Sequence, residues 1–132
     1  MVDGRGLALE LLPATYAVAR LDPSEVVPTW AVGAFVSITR TEDELSIVCP
    51  LATVPPAVRA ERGFRCLRVA GPLAFDQVGV LSSLATPLAR AGVSIFVVST
   101  YDSDYLLVKS AIFELAVEAL SAAGHSVQRV DG

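Results

Sequence analysis

The chain predicts an α+β fold assembled from two similar halves, and three observations carry that prediction. Short apolar runs of strand length recur along all 132 residues. Two segments of the second half, residues 76–91 and 110–123, place apolar side chains at helical spacing. The pattern Phe35-Val36-Ser37-Ile38-Thr39, then Leu45-Ser46-Ile47-Val48, is echoed about 60 residues later by Val97-Val98-Ser99-Thr100-Tyr101, then Leu106-Leu107-Val108.

Taken in order, Leu7–Leu12 is an apolar run that stops at Pro13, and Thr15–Leu21 alternates weakly before Asp22-Pro23. Pro28 prevents a long helix in the short stretch Ser24–Trp30. Phe35–Thr39 and Leu45–Cys49 form strands joined through the polar residues 40–44 as a hairpin. Pro55-Pro56 opens a short helix to about Glu61, because proline is tolerated in a first turn. Phe64–Ala70 is the next strand.

Asp76 is positioned as an N-cap, with Val80, Leu81, Leu84 and Leu88 on one helical stripe until Gly92 ends it. Pro87 lies inside that helix, where an ideal interior loses about 3 kcal/mol, so a kink or a tightened last turn is expected. Val93–Val98 and Tyr105–Val108 are strands. Ser110 caps a second helix with Ile112, Leu115, Ala116, Ala119, Leu120 and Ala123 in one stripe; Gly124 closes it and Ser126–Val130 follows as a strand. From Phe64 onward the order is βαββαβ, the ferredoxin-like plan of a four-stranded antiparallel sheet under two helices. The first half follows the same order with weaker helices. Two modules result, residues 1–63 and 64–132.

Ile95-Phe96-Val97-Val98 does not alternate, so its side chains point to both sheet faces. An apolar face left in water is costly, since burying such side chains is worth about 1.5–3 kcal/mol each. The other half of the chain or a second copy is expected to cover it, which predicts a homodimer or close module packing.

Hydrophobic residues make up 53% of the chain and charged residues 18%, with a net charge of −4. That balance fits a globular chain and excludes a phosphate-binding basic patch, hence no nucleic-acid partner and no electrostatic membrane attachment. No apolar run approaches the roughly 20 residues that cross a bilayer, and the N-terminus lacks signal-peptide character. Cys49 and Cys66 stand in apolar strands and form neither a CxxC nor a zinc pattern, so they read as buried thiols of a cytoplasmic protein.

Catalytic and metal motifs are missing: there is no Walker loop, GxGxxG, GxSxG, HExxH or CxxC. No cofactor, metal site or catalytic residue is predicted. The one histidine, His125, follows Gly124 and interacts favourably with the helix dipole there. An acid–base pair of Asp102 and Asp104 would need perturbed carboxyls in a cleft with a nucleophile beside them, and the sequence supplies none.

The binding signal is Ser99-Thr100-Tyr101-Asp102-Ser103-Asp104-Tyr105, a polar insert between two apolar strands. Asp and Ser there serve turn formation equally well. The turn from Pro72 into the helix near Gln77 leaves backbone N–H groups at a helix N-terminus, where a carboxylate is stabilised, and Gly79 permits close approach. Read structurally, Gly79 is a weak helix residue. Backbone donors facing an acidic corner are the minimum for gripping a free amino acid.

Gly71-Pro72-Leu73 through Asp76, Gly79-Val80-Leu81, residues 91–96 and residues 99–108 together resemble an ACT domain. More narrowly they resemble small tandem-ACT bacterial proteins related to aspartokinase regulatory domains and to cytosolic arginine sensors. Val32-Gly33-Ala34-Phe35, Thr39-Arg40-Thr41, Glu44-Leu45-Ser46 and residues 61–65 fit the same family's first module. The resemblance implies two tandem ferredoxin-like modules, side-by-side pairing, and an amino acid or similar effector bound at a module or subunit interface without chemistry. By motif position it places Asp104 on the ligand, with Val78, Gly79 and Val80 at the start of the helix and Ser94, Ile95 and Phe96 lining the same pocket. Asp76, Thr100 and Asp102 complete the expected set. The arginine sensors carry twice as many modules, so a second copy would complete such a site, and any output would pass through a partner such as a metabolic enzyme. Many ACT modules bind nothing and act only as interaction surfaces, which is the competing expectation.

Overall fold

The computed structural model describes residues 6–70 and 78–129. Among them are seven strands: β1 (Ala8–Leu21), β2 (Ser37–Arg40), β3 (Leu45–Pro50), β4 (Ala60–Val69), β5 (Phe96–Ser99), β6 (Asp104–Lys109) and β7 (Ser126–Arg129). Two α-helices join them, α1 (Val80–Arg90) and α2 (Phe113–Ala122). The fold is α+β; β1–β3, β2–β3 and β5–β6 pair antiparallel, while β7 runs parallel to β1. The chain forms two compact units. One joins the stretch ending at Pro13 to everything from Arg65 onward, and the other is Ala14–Phe64. The division is therefore nested, where the sequence reading has a single cut between residues 63 and 64.

β1 continues through Pro13, where two strands are expected. Its neighbour on one side is β7 for Ala8–Leu11 and β3 for Tyr16–Leu21. Pro13 falls in the gap between these ladders, so its missing N–H removes no bond from either.

In the unit containing the C-terminus, the strand order is β7-β1-β4-β6-β5. Four strands are expected there, and the start of β1 adds a fifth between β7 and β4. Leu9, Leu11, Leu67, Val69, Leu106 and Val108 form the sheet side of one core, with Val80, Leu84 and Leu88 of α1 and Phe113, Ala116 and Leu120 of α2 above them. These sheet residues alternate along their strands and the helix residues recur at three- and four-residue spacing, so each element buries one face. On the opposite face, strand register sets Phe96 and Val98 beside Leu107 and Tyr105. Leu107 is fully buried, whereas Phe96 keeps 37% of its surface in solvent and Val97 and Val98 are half-buried. Glu10 and Arg68 form an ion pair (Nε to Oε1 2.9 Å) with both side chains over a third exposed, so its stabilisation is small.

Helix boundaries differ from the sequence reading. α1 starts at Val80 with Gly79 as its N-cap, and Asp76 lies outside the described residues. Ser110 opens a 3-10 turn, Ser110–Ile112, so α2 begins at Phe113 with Ile112 in the cap position. Pro87 is accommodated within α1, the Ala91 N–H donating to the Pro87 carbonyl at 3.1 Å. Arg129 holds the Glu114 carboxyl below the usual carboxylate range through two hydrogen bonds (2.7 and 3.0 Å).

The Ala14–Phe64 unit contains β2, β3 and the adjoining parts of β1 and β4. It has no α-helix, only a 3-10 turn at Leu51–Thr53. The helix expected over residues 55–61 is instead a turn, fastened by Arg62, whose guanidinium donates to the carbonyls of Pro55 (3.1 Å) and Val58 (2.8 Å). β4 begins at Ala60, earlier than its apolar run. Pro28 keeps the stretch Ser24–Trp30 from forming a helix, and residues Trp30, Ala31, Val36, Leu51 and Val58 pack on Ala17, Ala19, Leu45, Ile47 and Cys49 where a helix would. Tyr16 and Phe35 meet edge to face, 5.8 Å between ring centroids. The expected hairpin connection is present: Thr41 Oγ1 accepts from the N–H groups of Asp43 and Glu44, both 3.1 Å.

No helix among the described residues is long and apolar enough to cross a membrane. Both cysteines are free and buried. Burial pushes the Cys66 thiol up to about 12, and burial raises Cys49 against a weaker opposing contact from Thr53. Thiol reagents are therefore expected to leave the native protein unlabelled and to titrate two thiols per chain in denaturant. Leu84 is fully buried, so Leu84→Ala should cost about 2–5 kcal/mol in chemical denaturation. Leu115→Ala, on the exposed side of α2, should cost well under about 1 kcal/mol by the same measurement.

Candidate functional site

β5 and β6 form a hairpin whose last pair is Ser99 and Asp104. The four residues between them close by hydroxyl chemistry. The Thr100 N–H donates to the Ser103 carbonyl (2.8 Å), and Thr100 Oγ1 accepts from the Ser103 N–H (3.2 Å). Ser103 is buried, and its hydroxyl donates to the Val69 carbonyl at the end of β4 (2.6 Å). The turn is thus pinned to the end of β4.

Asp104 is half-buried and faces Ser99, whose hydroxyl donates to Oδ1 at 2.5 Å. Among the described residues no second hydrogen-bond partner meets this carboxylate, so Oδ2 can accept from a cation. Tyr101 and Asp102 stand in solvent at the tip, Tyr101 78% exposed.

The second part of the site is the start of α1. Gly79 has φ 86°, ψ −2°, a left-handed conformation that glycine adopts without Cβ strain. Among the described residues no side chain caps the helix, and the N–H groups of its first turn stand at the positive end of the helix dipole. The Ser83 hydroxyl turns inward to the Val80 carbonyl (2.7 Å). α1 returns to β5 through only five residues, 91–95, so its C-terminal end lies by the start of β5. Its N-terminal end therefore lies toward the finish of β5, the same end of the sheet as the turn.

The expected residues fall into distinct places. Thr100 and Asp104 share the turn with Asp102, which points into solvent; Thr100 is committed to holding the turn itself. Val78 is exposed, Gly79 caps the helix, and Val80 is buried in the core with Ile95 packed against it. Ser94 is exposed, and Phe96 opens β5 opposite Leu107. Asp76 lies outside the described residues. Ser99 and Ser103 belong to the segment the sequence marks, but neither is expected there as a site residue. The signal for Ser99 is its five-residue spacing from Asp104, which makes them a cross-strand pair once a four-residue loop is assumed. Ser103 bonds a carbonyl 34 residues away and has no local signal.

The chain matches the family model of the ACT domain over residues 59–122 and a second model, described as an N-terminal domain, over residues 14–57. Protein Atu0741 from Agrobacterium tumefaciens is similar across 96% of both chains, with 46% identity and a TM-score of 0.91. The regulatory subunit of aspartate kinase from Thermus thermophilus shares the fold (TM-score 0.61, 87% of this chain and 96% of that one) at 10% identity. The cytosolic arginine sensor for mTORC1 subunit 1 of Homo sapiens is 36% identical over 58 residues, 43% of this chain. The matched residues span 18% of the sensor's length.

Loss of the Ser103 hydroxyl leaves the Val69 carbonyl without that donor. Ser103→Ala is expected to lower stability by about 1–3 kcal/mol, and Asp102→Ala by less than about 0.5 kcal/mol, both read by urea denaturation.

Proposed function

Because the chain belongs to the ACT-domain family, we propose that it is a non-catalytic regulatory protein that binds a free amino acid. The observation carrying this reading is the half-buried Asp104, one oxygen fixed by Ser99 and the other without a partner among the described residues, at the same end of the sheet as a helix N-terminus that no described side chain caps. The effector carboxylate sits on the N–H groups of Val80 and Leu81, approached over Gly79. The ammonium, or a basic side chain, faces Asp104. Val78 lines the near wall, whereas Ser94, Ile95 and Phe96 sit at the start of β5, toward its other end.

A second copy completes the pocket, giving a homodimer, and the output passes to a metabolic enzyme in the cytoplasm. The Ala14–Phe64 unit acts as the first of two modules. Relatives support the reading by what their names state, arginine sensing in one and aspartate kinase regulation in another.

One observation favours a second reading, a ligand-free pairing module. β5 ends the strand order, carries no charge from Gly92 to Thr100, and leaves Phe96 partly exposed, the features of an edge that accepts another strand.

Thermal unfolding with each of the twenty amino acids at millimolar concentration, followed by calorimetric titration, separates the two. At a hundredfold excess over its dissociation constant the effector should add about 2.7 kcal/mol, and Asp104→Ala should remove most of the response. Silence from all twenty by both methods would leave only the pairing module.

A further inference from the structure

We infer that His125 is a positioning residue that latches the first turns of α1 to the N-terminal strand, through a carbonyl that Pro87 leaves without a helical donor. Proline has no N–H, so the Ser83 carbonyl, four residues back, loses its normal partner. His125 Nε2 lies 3.0 Å from that oxygen. A carbonyl only accepts, so Nε2 carries the proton. On the other side of the ring, the Leu7 N–H donates to Nδ1 at 3.0 Å. A backbone amide only donates, so Nδ1 is bare. Two backbone groups of opposite polarity thus select one neutral tautomer.

The ring is buried, 7% exposed, and its surroundings fix it in place. The His125 N–H donates to the Leu120 carbonyl (3.0 Å), and the Ser126 N–H to the Leu7 carbonyl (2.9 Å). Gly6 passes so close to the turn after α2 that a Cβ there would stand 1.6 Å from the Gly124 oxygen. At the far side, Ser83 continues the chain of contacts into the start of α1, its N–H to the Gly79 carbonyl (3.0 Å) and its hydroxyl to the Val80 carbonyl (2.7 Å). Leu7, His125, Ser83 and Gly79 form one hydrogen-bonded line from the N-terminal strand to the left-handed glycine. The consequence for effector binding rests on the reading proposed above; the latch itself does not.

Two measurements without ligand test it. In the intact protein, 15N NMR of the imidazole should show a protonated Nε2 and an unprotonated Nδ1; the reverse tautomer, or rapid exchange between both, overturns the assignment. A denaturation cycle of wild type, His125→Ala, Pro87→Ala and the double variant reads the coupling. Pro87→Ala restores an N–H to the Ser83 carbonyl. His125→Ala should therefore lower the unfolding constant's protection about tenfold in the wild-type chain and clearly less in the Pro87→Ala chain. Amide exchange at Leu7 and at Ser83 should accelerate in His125→Ala, and at Ser83 should recover in the double variant. Equal losses in both backgrounds, or unchanged exchange at Ser83, would reduce His125 to ordinary core packing. Because no amino acid enters either experiment, failure of effector binding leaves this result intact, and the reverse holds.

Discussion

One apolar layer positions everything at the candidate site: the side chains of α1 and α2 that meet Leu9, Leu11, Leu67, Val69, Leu106 and Val108 on a single sheet face. Among the described residues no side chain caps either helix, so none of them supplies the about 1 kcal/mol of a good cap. Packing, not local sequence, holds them. That packing points the first turn of α1 toward the end of the sheet where the β5–β6 turn lies. The N–H groups of that turn and the aspartate become neighbours in topology although they are far apart in sequence.

The polar groups then refine what packing sets. Ser103 ties the turn to the end of β4, and Ser99 orients Asp104. His125 supplies the donor that Pro87 withholds from Ser83. Ser103, Asp104 and His125 are buried or half-buried with their partners present, which is the condition under which polar side chains rigidify a fold instead of destabilising it. Rigid placement of donors and acceptors is also what recognition of a small zwitterion requires, since loose groups would have to be ordered on binding.

The second half of the fold was legible because its punctuation is strong. Gly92 and Gly124 end helices, the apolar stripes have clear period, and the Ser99–Asp104 insert marks a turn. The first half was less legible. Its echo of the second half in Phe35–Val48 is real at the level of strands, but Pro28 keeps the stretch Ser24–Trp30 from forming a helix that the echo implies. Pro13 ends a run in the sequence yet interrupts neither the β7 nor the β3 ladder, since it lies where one stops before the other begins. The nested division was invisible because a strand added to a distant unit has no local signature. At the site, Asp104 and Gly79 stood out by residue type. The partners of Ser103 and His125, namely Val69, Leu7 and Ser83, were not legible, since they are fixed only by tertiary contact. The orphan carbonyl of Ser83 was in principle deducible from Pro87, and its donor was not.

The most direct test follows backbone amide resonances while the amino acid that stabilises the protein is titrated in. Recognition by the start of α1 and the acidic turn predicts that shifts concentrate at residues 78–81 and 99–104 and saturate together with one dissociation constant. Shifts confined to Ala14–Phe64, or absent from both segments while binding is detected, would contradict it.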